Sequence, residues 1–322
     1  MSVRRMAGLS LAVGALLAGA ACASSTAPSP SSNPTSGSSS SGAGSKGTIS
    51  LSGQNFTEMQ IMAALYQQLL EKAGYTVNVH LVATRDIYVR QLESGNVDVV
   101  PEYLGALTDY LNTLKNGANA PTISSNSSAS TLAKLKPLAS ADHISMLDPA
   151  KATDQNAFAV TKSYASQNSL TTLSDLGALG KPIVLAAAPD CQGRSDCQGG
   201  LSKVYKINIS KILPLGFDSP QVKDSLSKGE SQLGEVATTD GALASENLVI
   251  LTDDKGVQPA QNLIPAVNSD FLSAHPDVAT VLNKLSAVLT TSDLAAMNVQ
   301  VDVQRAQAAD VAQQYLSSKG LI

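Results

Sequence analysis

Apolar residues recur along the chain with two different periods, and the changes of period separate predicted strands from predicted helices. Apolar runs and alternating patterns predict strands at residues 48–51, 77–82, 97–100, 157–161, 183–188, 212–215, 233–237 and 249–251. Spacings of three and four residues predict helices from about 56 to 73 and from 85 to 94, and a helical tail at 276–290 and 303–319. Strands that alternate with helices predict an α/β fold whose sheets are largely parallel and covered on both faces.

The N-terminus has the pattern of an export signal. Arg4 and Arg5 precede an apolar run of about a dozen residues, and small residues stand directly before Cys22. The run is shorter than the ~20 residues that a membrane-spanning helix needs. The small residues followed by cysteine resemble the cleavage site of bacterial lipoproteins, so we expect residues 1–22 to be a signal peptide and Cys22 to carry a lipid. Plain secretion is the alternative. Residues 23–46, rich in Ser, Pro and Gly, are expected to form a flexible tether.

Composition and motifs exclude several classes of function. The chain of 322 residues carries 22 Lys and Arg against 26 Asp and Glu, without a basic run, which argues against nucleic acid as a partner. Its three His residues lie far apart, so no His-rich metal site is expected. The sequence contains no nucleophile elbow and no nucleophile with an evident His partner. We therefore expect neither an enzyme nor a bound cofactor.

Two cysteines lie close together in a stretch that is typical of a loop. Cys191 and Cys197 are six positions apart, and Arg194 lies between them. In the oxidising compartment that an export signal implies, a disulfide is the expected state. Metal binding by the two thiols and a redox-active dithiol are the alternatives. A disulfide here would fix the position of Arg194.

One short pattern occurs twice in the chain. Residues 92–103 are similar to residues 226–237, because in each a glycine at a helix end leads into an apolar strand. Chance is the alternative explanation for so short a match. A real repeat predicts two similar sheets that present equivalent loops to a shared crevice, since ligands bind outside the carboxyl ends of strands in such sheets.

Several short stretches together carry a family resemblance. They are Asn55-Phe-Thr-Glu58, Leu92-x-Ser-Gly-x-Val-Asp98, Pro101-Glu-Tyr103-x-Gly105, Arg194 with Gly200-Leu-x-Lys-Val-Tyr205, Thr238-Thr-Asp240, Leu251-Thr-Asp-Asp-Lys-Gly256 and Met297-Asn-x-Gln-Val-Asp302. In this order they resemble the glycine betaine/choline/osmoprotectant substrate-binding proteins of bacterial ABC importers. The resemblance implies a two-lobed periplasmic-binding-protein-like fold (type II), with each lobe a mostly parallel sheet flanked by helices. It places residues 47–153 and 257–322 in lobe I and residues 154–256 in lobe II, with a ligand cleft between them.

The resemblance also implies a ligand site. Tyr103 stands where the family has one tyrosine of an aromatic cage for quaternary amines, and Arg194 stands where it has an arginine for the ligand's carboxylate. Asn156, Ala237 and Lys223 occupy positions where relatives often carry further cage tyrosines, so most of the cage is missing. The residues expected to contact ligand are Tyr103, Arg194, Asn55, Thr239, Asp240, Asn156, Arg85, Asp190, Ala237 and Lys223.

Structural roles are the alternative for several of these residues. Tyr103 could belong to the core, Asn55 could cap the first helix, and Thr239 with Asp240 could cap the helix after them. The two arginines could form ion pairs with nearby aspartates. These alternatives stay open at the level of sequence.

The function implied by the resemblance is capture of an osmoprotectant-type molecule of the glycine betaine, choline and carnitine class. Hinge closure would trap the ligand for delivery to a permease and its ATPase. We expect a monomer that is anchored to the membrane by lipid on the extracytoplasmic face. The missing cage leaves two alternatives, namely a cleft retuned to a neutral polar or hydroxylated ligand, or a module that senses its ligand rather than transports it.

Overall fold

The computed structural model describes residues 46–322. The predicted signal peptide, with Cys22, lies outside the described residues, and so does the predicted tether up to residue 45. Lys46 donates its backbone N–H to the carbonyl oxygen of Gly74 and forms an ion pair with Asp277 at 2.6 Å. Within the described part of the chain, no helix combines the length and the apolar character needed to cross a membrane.

Strands and helices alternate through most of residues 46–322. The strands are β1 (Thr48–Gln54), β2 (Thr76–Val82), β3 (Val99–Tyr103), β4 (Ile144–Met146), β5 (Asn156–Thr161), β6 (Pro182–Ala187), β7 (Asn208–Pro214), β8 (Leu233–Ala237), β9 (Leu248–Leu251) and β10 (Leu263–Asn268). The helices are α1 (Thr57–Lys72), α2 (Arg85–Glu93), α3 (Leu104–Asn116), α4 (Ser128–Ala141), α5 (Lys162–Asn168), α6 (Leu173–Ala178), α7 (Gln198–Lys203), α8 (Pro220–Ser227), α9 (Ser269–Ala274), α10 (Asp277–Val288), α11 (Thr291–Asp302) and α12 (Ala308–Ser318). All eight predicted strands are present, with ends shifted by a few residues, and β4 and β10 are additional.

The strands form two five-stranded sheets with the same topology. Their orders are β2-β1-β3-β10-β4 and β7-β6-β8-β5-β9. In the first sheet β10 is antiparallel to both of its neighbours, and in the second sheet β5 is antiparallel to both of its neighbours. The remaining strands of each sheet share one direction. The largely parallel α/β architecture is thereby confirmed. β3 and β8 occupy the central position of their sheets, which is the equivalence that the internal repeat predicts.

Each sheet is covered by apolar side chains on both faces. On β3, Val99 packs into one buried cluster with α1 and α10, whereas Val100 packs into another with α3 and α4. On β5, Phe158 and Ala159 face two different clusters in the same way. Neighbouring side chains of a strand point to opposite faces, so a strand buried on both faces reads as a continuous apolar run.

Two crossing segments join the sheets. The chain leaves the first sheet between β4 and β5 and returns between β9 and β10. The crossings touch where Thr153 pairs with Asn262 in an isolated antiparallel bridge. We call the part built on the first sheet lobe I and the part built on the second sheet lobe II. The residue limits of the lobes given above stay a prediction.

The C-terminal helices differ from the sequence-based expectation. The pattern predicts one helix over residues 303–319, but α11 ends at Asp302 and α12 begins only at Ala308. α11 itself is not predicted. It begins with a capping box, in which the Thr290 hydroxyl accepts the Asp293 N–H and the Asp293 carboxylate accepts the Thr290 N–H. A turn with Arg305 at φ 61° separates the two helices.

Candidate ligand-binding site

Five polar residues form a chain of hydrogen bonds where the lobes meet. We call Glu58, Tyr103, Asp154, Thr239 and Asn298 the interlobe network. Glu58 accepts from the Tyr103 hydroxyl at 2.6 Å and from the Asn298 amide at 3.0 Å. The same amide donates to the Thr239 carbonyl oxygen at 3.2 Å, and the Thr239 hydroxyl donates to Asp154 Oδ1 at 2.9 Å. The network therefore connects α1, β3 and α11 of lobe I with the loop after β8 of lobe II.

The interlobe network holds two carboxylates and no cation. Among residues 46–322, no Lys or Arg forms an ion pair with Glu58 or Asp154. Burial and the charge of Glu58 together raise the pKa of Asp154 from 3.8 to about 7. Burial and Glu58 also hold the pKa of Tyr103 well above its usual range, so its hydroxyl remains a donor at physiological pH.

A cavity of about 420 Å³ lies between α11 of lobe I and the loops of lobe II that follow β7 and β8. Its polar lining consists of Asp218, Lys223, Thr239, Asp240, Asn298 and Asp302, and we call it the acidic cleft. The Lys223 ammonium forms ion pairs with Asp240 and, at 3.5 Å, with Asp218. Ala237, the last residue of β8, contributes to the apolar lining. No Phe, Tyr or Trp is among the described residues that line this cleft.

Negative charge exceeds positive charge in the acidic cleft. Burial and the neighbouring Asp240 raise the pKa of Asp218 from 3.8 to about 7. Burial lowers the pKa of Lys223, but its ion pairs outweigh that effect and raise the pKa above the ordinary value, so Lys223 stays charged. Oδ1 of Asn298 is buried and accepts no hydrogen bond from any described residue. The cleft therefore offers more acceptors and more negative charge than Lys223 can satisfy.

A second cavity, of about 520 Å³, also lies between the lobes. Loop residues 122–126 of lobe I, residues 194–196 of lobe II and residues 256–261 of the second crossing segment contribute to its lining. Because Arg194 lies in this lining, we call it the arginine cleft. Arg194 and the residues of the acidic cleft thus belong to two different cavities.

The guanidinium of Arg194 is already paired with carboxylates. Its Nε and Nη2 donate to Asp196 at 3.0 and 2.8 Å, and its Nη1 donates to Asp190 at 3.1 Å. Glu235 lies 3.5 Å from Nη2. Arg194 therefore forms the ion pairs that the sequence analysis gives as its alternative role, and Asp190 is one of its partners. Contact of either residue with a ligand stays a prediction.

The expected disulfide between Cys191 and Cys197 is present. Both cysteines are buried in a cluster of lobe II, and the loop that they close carries Arg194 at its surface. The side chain of Asn156, at the start of β5, donates to Asp196 at 3.3 Å and so joins this group of residues. The disulfide therefore anchors one wall of the arginine cleft.

Arg85, which is partly exposed, forms an ion pair within lobe I with the buried Glu102 rather than with the neighbouring Asp86. Its Nε and Nη2 donate to the two oxygens of Glu102 at 2.9 and 3.2 Å. Glu102 also accepts from the hydroxyl of Tyr88 and from the backbone N–H of Tyr103 at 2.9 Å. Arg85 lines neither cleft.

The helix-capping alternatives are wrong for three candidate residues. Asn55 is exposed and accepts from the Gln60 amide at 2.8 Å, while α1 has Phe56 at its N-cap and no side-chain cap. Thr239 and Asp240 precede turns rather than a helix. Asp240 instead accepts the backbone N–H of Ala242 at 2.8 Å. Asn55 lines neither cleft, whereas Thr239 and Asp240 both line the acidic cleft.

Sequence reasoning missed several polar residues of the site. Glu58 ends the first stretch of the family resemblance, and Asn298 and Asp302 lie in the last one, so a signal was present for these three. Asp154 and Asp218 lie in segments without a recognisable motif. Their proximity to Glu58 and Asp240 depends on the packing of distant parts of the chain.

A family model described as the substrate binding domain of ABC-type glycine betaine transport systems matches residues 47–318. The chain belongs to this family. The matched range includes both lobes and all residues of the interlobe network. A glycine betaine-type substrate-binding domain is a transport component rather than an enzyme.

Relatives of this substrate-binding domain resemble the chain over most of their length. It is 27% identical over 284 residues to the glycine-betaine-binding protein of Pseudomonas aeruginosa, which spans 85% of this chain and 89% of that protein. It is 28% identical over 274 residues to the glycine betaine-binding protein YehZ of Escherichia coli, which spans 82% and 88%. The solved structure of apo YehZ has a TM-score of 0.71 at 24% identity and covers 85% of this chain and 99% of that one. This likeness confirms the two-lobed type II fold.

Proposed function

We propose that the chain is the solute-binding lipoprotein of an ABC importer and captures an osmoprotectant-type molecule of the glycine betaine, choline and carnitine class. The main support for the proposal is the acidic cleft, a cavity between the two lobes at the carboxyl end of β8. The chain that forms this cleft belongs to the glycine betaine substrate-binding family. Two relatives support the ligand class. They are the glycine-betaine-binding protein of P. aeruginosa and the carnitine transport binding protein OpuCC of Listeria monocytogenes.

Hinge closure is the proposed mechanism of capture. The Asn298 amide bridges Glu58 in lobe I and the Thr239 carbonyl oxygen in lobe II, so it is a contact that opening would break. Gly241 packs so closely on α11 that a Cβ there would overlap the helix backbone. A ligand that contacts both lobes favours the closed arrangement through its higher affinity for that state. A permease and its ATPase would then receive the ligand from the closed form.

The lining of the acidic cleft favours a second candidate for the ligand. Because no described aromatic side chain lines it, the cleft lacks the ring faces that best hold a quaternary amine. A neutral polar or hydroxylated compound would instead form hydrogen bonds with the amide, hydroxyl and carboxylate groups that line the cleft. The role in transport would be unchanged.

A thermal-shift screen of the purified full chain tests the ligand class. Glycine betaine, choline, carnitine and sorbitol would be compared with the disulfide intact. A ligand at about 100 times its dissociation constant adds about 2.7 kcal/mol of stability, which corresponds to a rise of several degrees in Tm for a protein of this size. We expect a shift with at least one of the first three compounds. A shift with sorbitol alone supports the second candidate, and no shift with any compound contradicts both.

Membrane fractionation tests the proposed lipid anchor. In cells fed a labelled fatty acid, the wild-type chain should carry the label and sediment with membranes. The Cys22→Ser variant should lose the label and leave the membrane fraction. An unlabelled wild-type protein in the soluble fraction would show that the chain is secreted rather than anchored.

A further inference from the structure

The charge of the acidic cleft is the first indication of what it binds. Asp218 and Asp240 of lobe II share the single ammonium of Lys223, and Asp302 of lobe I adds a third carboxylate. Behind this lining lies Glu58, which reaches the cleft through the amide of Asn298. Burial beside Asp240 raises the pKa of Asp218 to about 7, so this carboxyl is partly protonated at pH 7 and Asp240 and Asp302 are the main candidates to face a cation. A ligand with a positive charge would supply the missing counter-charge.

The hydrogen-bonding groups of the acidic cleft are the second indication. Asn298 lines the cleft, and its side-chain Oδ1 is buried without a donor among the described residues. The Asp240 side chain is only 9% exposed, and its oxygens already accept the Ala242 N–H and pair with Lys223. Each carboxylate oxygen has a second lone pair that a further donor can use. Buried acceptors cost free energy unless a donor reaches them, so the cleft favours a ligand with N–H groups. A quaternary ammonium ion has none.

The position of the aromatic side chains is the third indication. Tyr103, the expected cage residue, is buried and donates its hydroxyl to Glu58. It does not line the acidic cleft, and neither does any other described Phe, Tyr or Trp. Ring faces are therefore not available there to hold a methylated ammonium group.

We propose that the acidic cleft binds the ammonium end of a small organic cation and prefers a cation with N–H donors to a quaternary amine. The proposal rests on the proposed function, whose ligand site it specifies. Asp302 approaches the ligand from lobe I, and Asp240 approaches it from lobe II. A cation held between these carboxylates links the lobes in their closed arrangement.

Calorimetric titration of the purified full chain with three matched cations tests the proposal. Ethanolamine, N,N-dimethylethanolamine and choline share one hydroxyethyl group and one positive charge at pH 7, but they carry three, one and no N–H donors. We expect ethanolamine to bind about tenfold or more tighter than choline, because a hydrogen bond to a charged group is among the stronger ones. Dimethylethanolamine should lie between the two.

Two variants connect the preference to the cleft. Asp240→Asn and Asp302→Asn should each weaken ethanolamine binding about tenfold or more and reduce its advantage over choline. Because Asp302 is exposed, its variant keeps the test valid even where Asp240→Asn fails to fold. Asp310→Asn is the matched control, since Asp310 is exposed on α12 and does not line the cleft. Its affinities should equal those of the wild type.

The outcomes separate this inference from the proposed function. If choline binds most tightly, the preference for N–H donors is wrong and the proposed function stands. If glycine betaine or carnitine binds while all three cations fail, the preference for a net cation is wrong and the proposed function again stands. If none of these compounds binds, the proposed function fails as well. Equal loss of affinity in the Asp310→Asn control would show that the effect does not come from the cleft.

Discussion

Replacement of Asp154 by Asn should change how the stability of the protein depends on pH. Native Asp154 keeps its proton up to a pKa of about 7, because it is buried beside Glu58, whereas the unfolded chain loses this proton near 3.8. Between these values the native state binds one proton more than the unfolded state. The contribution of Asp154 to the free energy of unfolding therefore falls as pH rises from about 4 to about 7, and it is constant above that range.

The magnitude follows from the width of this window. One proton corresponds to a slope of about 1.4 kcal/mol per pH unit, so the full effect is on the order of 4 kcal/mol. Asn cannot ionise and can still accept from the Thr239 hydroxyl. The Asp154→Asn variant should thus resemble the wild type near pH 4 and become progressively more stable than it towards pH 8. Asp218, whose pKa is also about 7, makes the stability of both proteins depend on pH in the same way. Its contribution therefore cancels in the difference between their free energies of unfolding.

Urea denaturation at half-unit steps from pH 4.5 to 8.5, followed by circular dichroism, measures this difference. Asp310→Asn removes an exposed carboxylate of α12, outside the interlobe network, and is the control for the loss of one acidic side chain. Parallel curves for the wild type and Asp154→Asn would refute the reasoning, because they would mean that Asp154 ionises alike in the folded and unfolded chain.

Two further substitutions test the closure of the lobes and the ion pair of Arg85 with buried Glu102. Gly241→Ala places a methyl group against the backbone of α11, so it should hold the lobes apart. We expect a larger radius of gyration in small-angle X-ray scattering with ligand present, and ligand binding that is roughly tenfold weaker. An unchanged affinity would argue against closure at this contact. Glu102→Gln leaves Arg85 without its buried carboxylate partner. This change should lower the free energy of unfolding, measured by urea titration, by about 3 kcal/mol. A loss below about 1 kcal/mol would mean that water or another group compensates the charge of the guanidinium.

The parts of the fold that the sequence predicts are those with a strong local pattern. β8 is buried on both faces and is apolar except for Glu235 at its centre. α1 buries the periodic side predicted for it. α11 is missed because only Leu294 and Met297 of its residues are buried, which leaves too narrow an apolar stripe to identify a helix. Its capping box is a signal that the apolar pattern does not use.

The candidate site is less predictable than the fold because its contacts join distant segments. Thr239 and Asp240 are expected from the resemblance and do line the acidic cleft. The resemblance does not indicate that Arg194 is enclosed by carboxylates, since Glu235 reaches it only through the packing of β8 in the second sheet. The pairing of Glu58 with Asp154 likewise exists only once both lobes are formed.

The most direct test of the account is the position of a bound ligand. A crystal structure of the protein with the cation that binds most tightly in the calorimetric titrations would supply it. We predict closed lobes and a ligand in the acidic cleft, with its ammonium group between Asp240 and Asp302. A ligand in the arginine cleft, with Arg194 released from Asp196 to bind a carboxylate, would contradict the account.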